Sequence, residues 1–290
     1  MLLTRLALYI IRLIMPNQET QYDVADRIAT ITLNRADKLN AWTAIMEHEV
    51  RAAMAAAESD ENVRVIILTG AGRGFCAGAD ISLLSTISEK GINAALRAQA
   101  TQPAGGISEG TRPDFQRKYS YFPAFTKPVI AAINGPAVGL GLLITLYCDL
   151  RFASDAARFS TAFARRGLIA EYGMAWMLPR LVSHANALDL LFSARMIDAA
   201  EALRMGLVNQ VYPQETFNEK VRQYARDLAS NVSPRSLRVI KKQVYDAMFQ
   251  TLAESFENSE QEMLASLQCE DFKEGVAHFV EKRPPVFTGK

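Results

Sequence analysis

Hydrophobic and polar positions alternate with a period of two along "YDVADRIATITLN", and the alternation breaks at Ala25-Asp26-Arg27. That pattern predicts two strands joined by a tight turn. In "TAIMEHEVRAAMAAAESD" the apolar positions recur at helical spacing, and Thr43 stands where an N-cap belongs, so a helix is expected directly after it. "VRVIILTG" is a β-branched run closed by glycine, the form of a strand buried on both faces of a parallel sheet. "KPVIAAING" reads as a second such strand, and "LRFAS" and "ARFST" as shorter ones. Strand and helix alternate, which predicts an α/β fold with a mainly parallel sheet.

After about Asp198 the pattern turns helical. "AAEALRMGLVNQV" reads as a helix, a stop at Gly206 and a short strand. "ETFNEKVRQYARDLAS", "PRSLRVIKKQVYDAM" and "LAESFENSEQEMLASL" carry apolar stripes at helical period, and such stripes need the body of the fold or another subunit to pack on. The expected organisation is an unstructured extension over 1–14 with Met15 as the natural start, an α/β core over 15–197, and a helical region over 198–290. From about Ser88 to Ser120 the chain is polar, with glycine, proline and no clear period. A loop of that length inside a compact domain is expected to be functional, as a substrate lid, or else disordered.

Composition narrows the class. The 290 residues are 49% hydrophobic and 22% charged, which fits a globular domain with a large core. Lys+Arg is 32 and Asp+Glu is 31, so no charge excess draws the chain to nucleic acid or anionic lipid. Cys76, Cys148 and Cys269 are far apart and odd in number; no disulfide framework and no zinc-ligand spacing is expected, and a reducing, cytoplasmic location is. The opening "MLLTRLALYIIRLIMPNQET" is apolar and basic, but Arg12 interrupts it. The uninterrupted run is too short to cross a bilayer and has no small-residue cleavage site. A weak membrane anchor is the alternative reading of that stretch; stable membrane association is not expected.

Several chemistries fail on motif. "GAGRGFCAGAD" lacks the G-K-[ST] ending of a phosphate loop. "GLGLLI" lacks the third glycine of a dinucleotide fingerprint. Ser160 and Ser193 lie in no G-x-S-x-G elbow. His48, His184 and His278 are scattered and read as surface or packing residues, and Cys76 as a packing residue. Two loops remain, "GRGFCAGAD" and "NGPAVGLG". Each follows a buried strand, is rich in small residues and runs into a helix. Each therefore offers a bare N–H near a positive dipole end. Two such donors on one oxygen make an oxyanion hole; the alternative is a pair of tight turns in a packed sheet.

"GRGFCAGADIS" and "KPVIAAINGPAVGLGLLITLYCDLRFAS" resemble the crotonase, or enoyl-CoA hydratase/isomerase, family. The resemblance continues through "ARFSTAFARRGLIAEYG" and "GLVNQVYP" to "FVEKRPPVFTG", covering roughly residues 20 to 290. It implies a crotonase-like spiral of β-β-α units with a helical C-terminal trimerisation region, assembled as a homotrimer or a dimer of trimers. It implies an acyl-CoA substrate, with coenzyme A as part of that substrate and no separate cofactor or metal. The implied donors to the thioester oxygen are the N–H groups of Ala79 and Leu140, with Gly139 and Gly141 keeping the approach open. Ala77, Asp80, Ile81, Leu143, Phe163 and Lys282 are the implied substrate-contacting positions. Asp80 is expected to cap the helix after it, and Asp149 to be structural. Arg73, Lys282 and Arg283 could meet CoA phosphates or be solvated charges.

The resemblance is broken at the acids. Hydratases of the family use two glutamates, which would fall at Leu143 and Phe163, and neither residue can move a proton. A carboxylate appears eight residues after Phe163, at Glu171 in "GLIAEYGMAW", where some family members carry a working carboxylate. A helix start near Gly173 would favour the anion, while Ile169, Ala170, Met174 and Trp176 would desolvate it and raise its pKa. One tuned base suits a double-bond isomerase. The alternatives are hydration with Glu171 alone, another enolate chemistry of an acyl-CoA, or a non-catalytic acyl-CoA-binding or scaffold protein in which Glu171 is a capping or surface residue.

Overall fold

The structure, a computed structural model, describes residues 19–81, 85 and 111–290. The expected 1–14 extension, the helix after Asp80 and most of the expected lid lie outside them. Nine strands occur among the described residues: β1 (Thr20–Ala25), β2 (Ile28–Leu33), β3 (Val65–Gly70), β4 (Val129–Ile133), β5 (Ala137–Val138), β6 (Leu150–Ser154), β7 (Arg158–Ser160), β8 (Ile197–Asp198) and β9 (Gln210–Tyr212). β1 and β2 form the expected antiparallel hairpin. Its turn places Asp26 at φ 55° and Arg27 at φ 62°, the paired left-handed residues that match the twist of the flanking strands.

The larger sheet runs β1-β2-β3-β4-β6-β9 and is parallel from β2 onward. Alternate side chains of its buried strands feed two apolar layers. Ile66 and Leu68 of β3 face the main core, while Val65 and Ile67 join Ile130 and Phe152 on the other face. That second face is covered by α6 (Phe217–Asn231) through Phe217, Val221, Ala225 and Ala229. Each Val, Ile, Leu or Phe among them contributes about 1.5–3 kcal/mol on burial, which is why these strands read as unbroken apolar runs.

A smaller sheet, β5-β7-β8, is continued by single bridges between Cys76 and Ala137 and between Trp42 and Ala79. The chain leaving β3, β4 or β6 thus drops into a short segment of the second sheet before going on. This is the β-β-α winding expected of the fold.

The helices follow their sequence signals. α1 (Ala44–Ser59) starts at Thr43, whose hydroxyl accepts the Met46 N–H. α2 (Leu140–Leu146) is buried along its whole length. α3 (Met174–Val182), α4 (His184–Ser193) and α5 (Ala199–Arg204) follow, and Gly206 at φ 79° ends the last. The C-terminal region adds α6, α7 (Pro234–Ala247), α8 (Leu252–Leu267) and α9 (Glu270–Glu281). Lys241 of α7 ties this region to the core: its ammonium meets Asp149 Oδ2 at 2.7 Å and the Lys127 carbonyl at 3.0 Å. The same Asp149 oxygen accepts the Val129 N–H at 2.6 Å, so Asp149 is structural, as read. α8 buries none of its residues.

The end of the expected lid is corrected. Residues 113–115 form a 3-10 turn, and Phe115, Tyr119 and Ser120 are buried. Aromatic side chains anchor this stretch in the core, against the polar composition just before it.

Candidate active site

Trp42 pairs with the loop after β3 on both sides of Ala79. Its N–H donates to the Gly78 carbonyl at 2.8 Å, and its carbonyl accepts the Asp80 N–H at 3.0 Å. In a parallel pairing of this kind the intervening residue turns its own N–H away. The Ala79 N–H has no acceptor among the described residues. Leu140 is the first residue of α2, where an N–H has no partner within the helix, and it too has no acceptor among the described residues.

Glycines bring these two amides together. Gly78 sits at φ 104°, and a methyl group there would lie 3.0 Å from the Val138 carbonyl oxygen and 3.9 Å from Leu140 N. A methyl group on Gly141 would lie 2.1 Å from the Cys76 carbonyl oxygen, so only glycine allows α2 to seat on the Cys76 loop. Gly139, at φ 54°, donates its N–H to the Ser160 carbonyl at 2.8 Å. Two unpartnered donors at the buried start of a helix can hold an oxygen that gains negative charge.

The other expected positions fall as follows. Ala77 is half-buried and donates to the Leu39 carbonyl at 2.9 Å. The Asp80 carboxylate is held by Arg35 Nη1 at 2.9 Å. Ile81 is exposed. Leu143 is fully buried in the core and Phe163 nearly so, so both positions are occupied by packing side chains. Lys282 is exposed in the left-handed C-cap of α9, and Arg73 is exposed. Arg283 is engaged by Glu274 and Glu281.

Glu171 stands in a turn ahead of α3. Its carbonyl accepts the Met174 N–H at 2.9 Å, and Tyr172 and Gly173 follow at φ 49° and φ 80°. The turn leans on Tyr147, the C-cap residue of α2. A methyl group at Gly173 would lie 2.3 Å from the Tyr147 hydroxyl oxygen. The helix that presents the Leu140 amide therefore also seats the Glu171 turn. The Tyr172 ring meets Tyr119 edge-on at 4.8 Å, and Tyr119 meets Trp42 at 6.2 Å. The Glu171 carboxylate has no hydrogen-bond or ionic partner among the described residues. Burial pushes its pKa above the ordinary glutamate range, because desolvation disfavours the anion.

Sequence reasoning missed the group behind Ala79. The Trp42 indole N–H donates to Glu47 Oε2 at 3.0 Å, and Arg51 Nε meets Glu47 Oε1 at 2.6 Å. Glu47 is buried, being only 2% exposed. Its i,i+4 spacing to Arg51 reads as a surface pair; the available signal was the position of Glu47 beside the apolar stripe Met46, Val50 and Ala53.

Among the described residues no helix is long and apolar enough to cross a membrane, and no three His, Cys, Asp or Glu side chains converge as metal ligands.

A two-sheet β-β-α spiral that sets a pair of bare amides at a helix start defines a recognisable class. Residues 23–290 match the family described as enoyl-CoA hydratase/isomerase, and the chain belongs to that family. It is 32% identical over 263 residues to the 1,2-epoxyphenylacetyl-CoA isomerase of Escherichia coli K12, covering 91% of this chain and 95% of the relative. It is 35% identical over 270 residues to a Rhodobacter capsulatus protein named probable enoyl-CoA hydratase, covering 93% and 98%. Among solved structures, the enoyl-CoA hydratase of Bacillus anthracis superposes with a TM-score of 0.83 at 29% identity, covering 94% of this chain and 100% of that one.

Proposed function

We propose that the protein is an acyl-CoA enzyme that shifts a carbon–carbon double bond through a thioester enolate. The thioester oxygen lies between the N–H groups of Ala79 and Leu140. Glu171 takes a proton from the α-carbon of a 3-enoyl thioester. The C–H electron pair becomes a double bond between the carbonyl carbon and the α-carbon as the carbonyl π pair moves onto that oxygen, giving a dienolate conjugated with the original carbon–carbon double bond. The same carboxyl group returns the proton at the γ-carbon, leaving a 2-enoyl thioester. A single desolvated carboxylate suffices for this shuttle. This proton shuttle needs no metal or redox cofactor, and coenzyme A enters as part of the substrate. Ala77, Asp80, Ile81, Gly139, Gly141 and Phe163 line the path of the acyl group and its thioester, with Leu143 behind them in the core, and Lys282 meets the CoA phosphates.

The observation that carries this reading is the pair of unpartnered amides seated against one helix whose other end supports the Glu171 turn. The names of the hydratase relatives favour a second reading, hydration of a 2-enoyl thioester with Glu171 as the only acid–base group. Leu143 and Phe163, both buried and apolar, favour the isomerase.

The test is Glu171→Gln assayed on 3-enoyl-CoA and crotonyl-CoA. Loss of double-bond shift with acyl-CoA binding retained supports the proposal. Crotonyl-CoA hydration at the rates of ordinary hydratases, with no double-bond shift in the parent protein, overturns the isomerase reading.

The exposed apolar residues of the C-terminal helices, among them Phe256, Met263, Leu264, Phe279 and Val280, support packing against further subunits, which we read as a homotrimer or a dimer of trimers.

A further inference from the structure

We infer that Trp42, Glu47 and Arg51 form a buried strut that sets the direction of the Ala79 amide, which makes Trp42 and Glu47 positioning residues. The inference rests on the proposed role of Ala79. Trp42 makes both backbone hydrogen bonds that flank Ala79, to the Gly78 carbonyl and from the Asp80 N–H. The plane of the Ala79 amide therefore follows the placement of Trp42.

Two contacts and burial fix Trp42 in turn. Its indole N–H donates to Glu47 Oε2, its ring meets that of Tyr119 in a T-shaped pair, and it is 2% exposed. Glu47 lies in the first turn of α1, and its second oxygen is held by Arg51 one turn later. The Arg51 guanidinium stacks over the Tyr121 ring at 3.9 Å. The carboxylate is thus anchored to a rigid helix and cannot follow a drifting indole. Packing alone would not require a buried ion pair here; an apolar side chain fills the same space without the desolvation of two charges. A directed hydrogen bond does require an acceptor at a set place. A hydrogen-bond donor to an oxyanion loses much of its effect when its direction slips.

The test uses butyryl-CoA labelled with carbon-13 at the thioester carbonyl, read by infrared difference spectroscopy of the bound complex, with kcat and KM on 3-enoyl-CoA alongside. Bound to the parent protein, the carbonyl stretch is expected to fall in frequency, because two hydrogen bonds polarise the C=O. In Trp42→Phe, which keeps an aromatic side chain, though a smaller one, but not the N–H, much of that fall is expected to disappear, with kcat down about tenfold and KM within about twofold. Glu47→Met removes the same bond from the other side, should give the same spectrum, and decides the matter if Trp42→Phe does not fold. Glu47→Gln keeps a carbonyl acceptor for the indole and is expected to restore the shift. A folded Trp42→Phe or Glu47→Met protein with the parent's carbonyl frequency overturns the strut. Absence of any shift in the parent overturns instead the reading of Ala79 and Leu140 as the carbonyl's donors, and the strut with it.

Discussion

The hydroxyl of Tyr147 donates to the main-chain carbonyl of Tyr172 at 2.7 Å. This bond joins the last turn of α2 to the turn that holds Glu171. Tyr147→Phe removes it and leaves a half-buried carbonyl without its donor, at a cost of about 1 kcal/mol to stability. The Glu171 turn should loosen while the amides at the other end of α2 stay in place. Acyl-CoA affinity is then expected to hold while kcat falls several-fold, measured by steady-state kinetics and calorimetric binding.

Burial raises the pKa of Glu171. The proposed shuttle begins with the carboxylate, so kcat should rise with pH on a limb above the ordinary glutamate range. Glu171→Gln should abolish that limb together with the activity. The sign for folding is opposite. An acid with a raised folded-state pKa holds its proton longer when folded. The resulting stability is full below the unfolded pKa and is lost as pH rises through the folded one. A pH–rate profile beside melting curves of the parent and Glu171→Gln proteins checks both directions.

Gly141 is where α2 meets the Cys76 loop. Gly141→Ala places a methyl group 2.1 Å from a main-chain oxygen, which cannot swing aside as a side chain could. A loss of about 3 kcal/mol in urea unfolding is expected, with activity lost even where the protein folds, because the two loops are forced apart.

Leu143 is fully buried among apolar neighbours. Leu143→Glu should therefore not install a working hydratase acid. The added carboxyl would enter the core without a partner and cost roughly 3 kcal/mol or more. A lowered melting temperature with no gain in crotonyl-CoA hydration is the expected result.

Local chemistry made much of the fold legible in the sequence. Thr43 and Gly206 mark helix ends through interactions within a few residues, and β3 and β4 are apolar because both sheet faces are covered. β5 and β8 span two residues each, too few for any alternation to show. Tyr119 was obscured by the polar stretch before it, and its burial depends on Trp42 and Tyr172, both distant in sequence. The same holds for Glu47: its i,i+4 partner is visible in the sequence, but its burial beside the Trp42 indole is not. The Gly139–Gly141 pair marks a bare helix start because the absence of a side chain is itself a local feature, whereas Leu140 as the donor there is what the resemblance to the family implies.

At Gly78 and Gly141 what must be preserved is empty space, and at Ala79 and Leu140 it is the peptide unit. Side-chain replacement cannot delete the donor at either of the latter positions unless proline takes the place. On the proposed function, exchanges among the surrounding side chains alter the reacting groups while both donors stay in place, because neither donor belongs to a side chain.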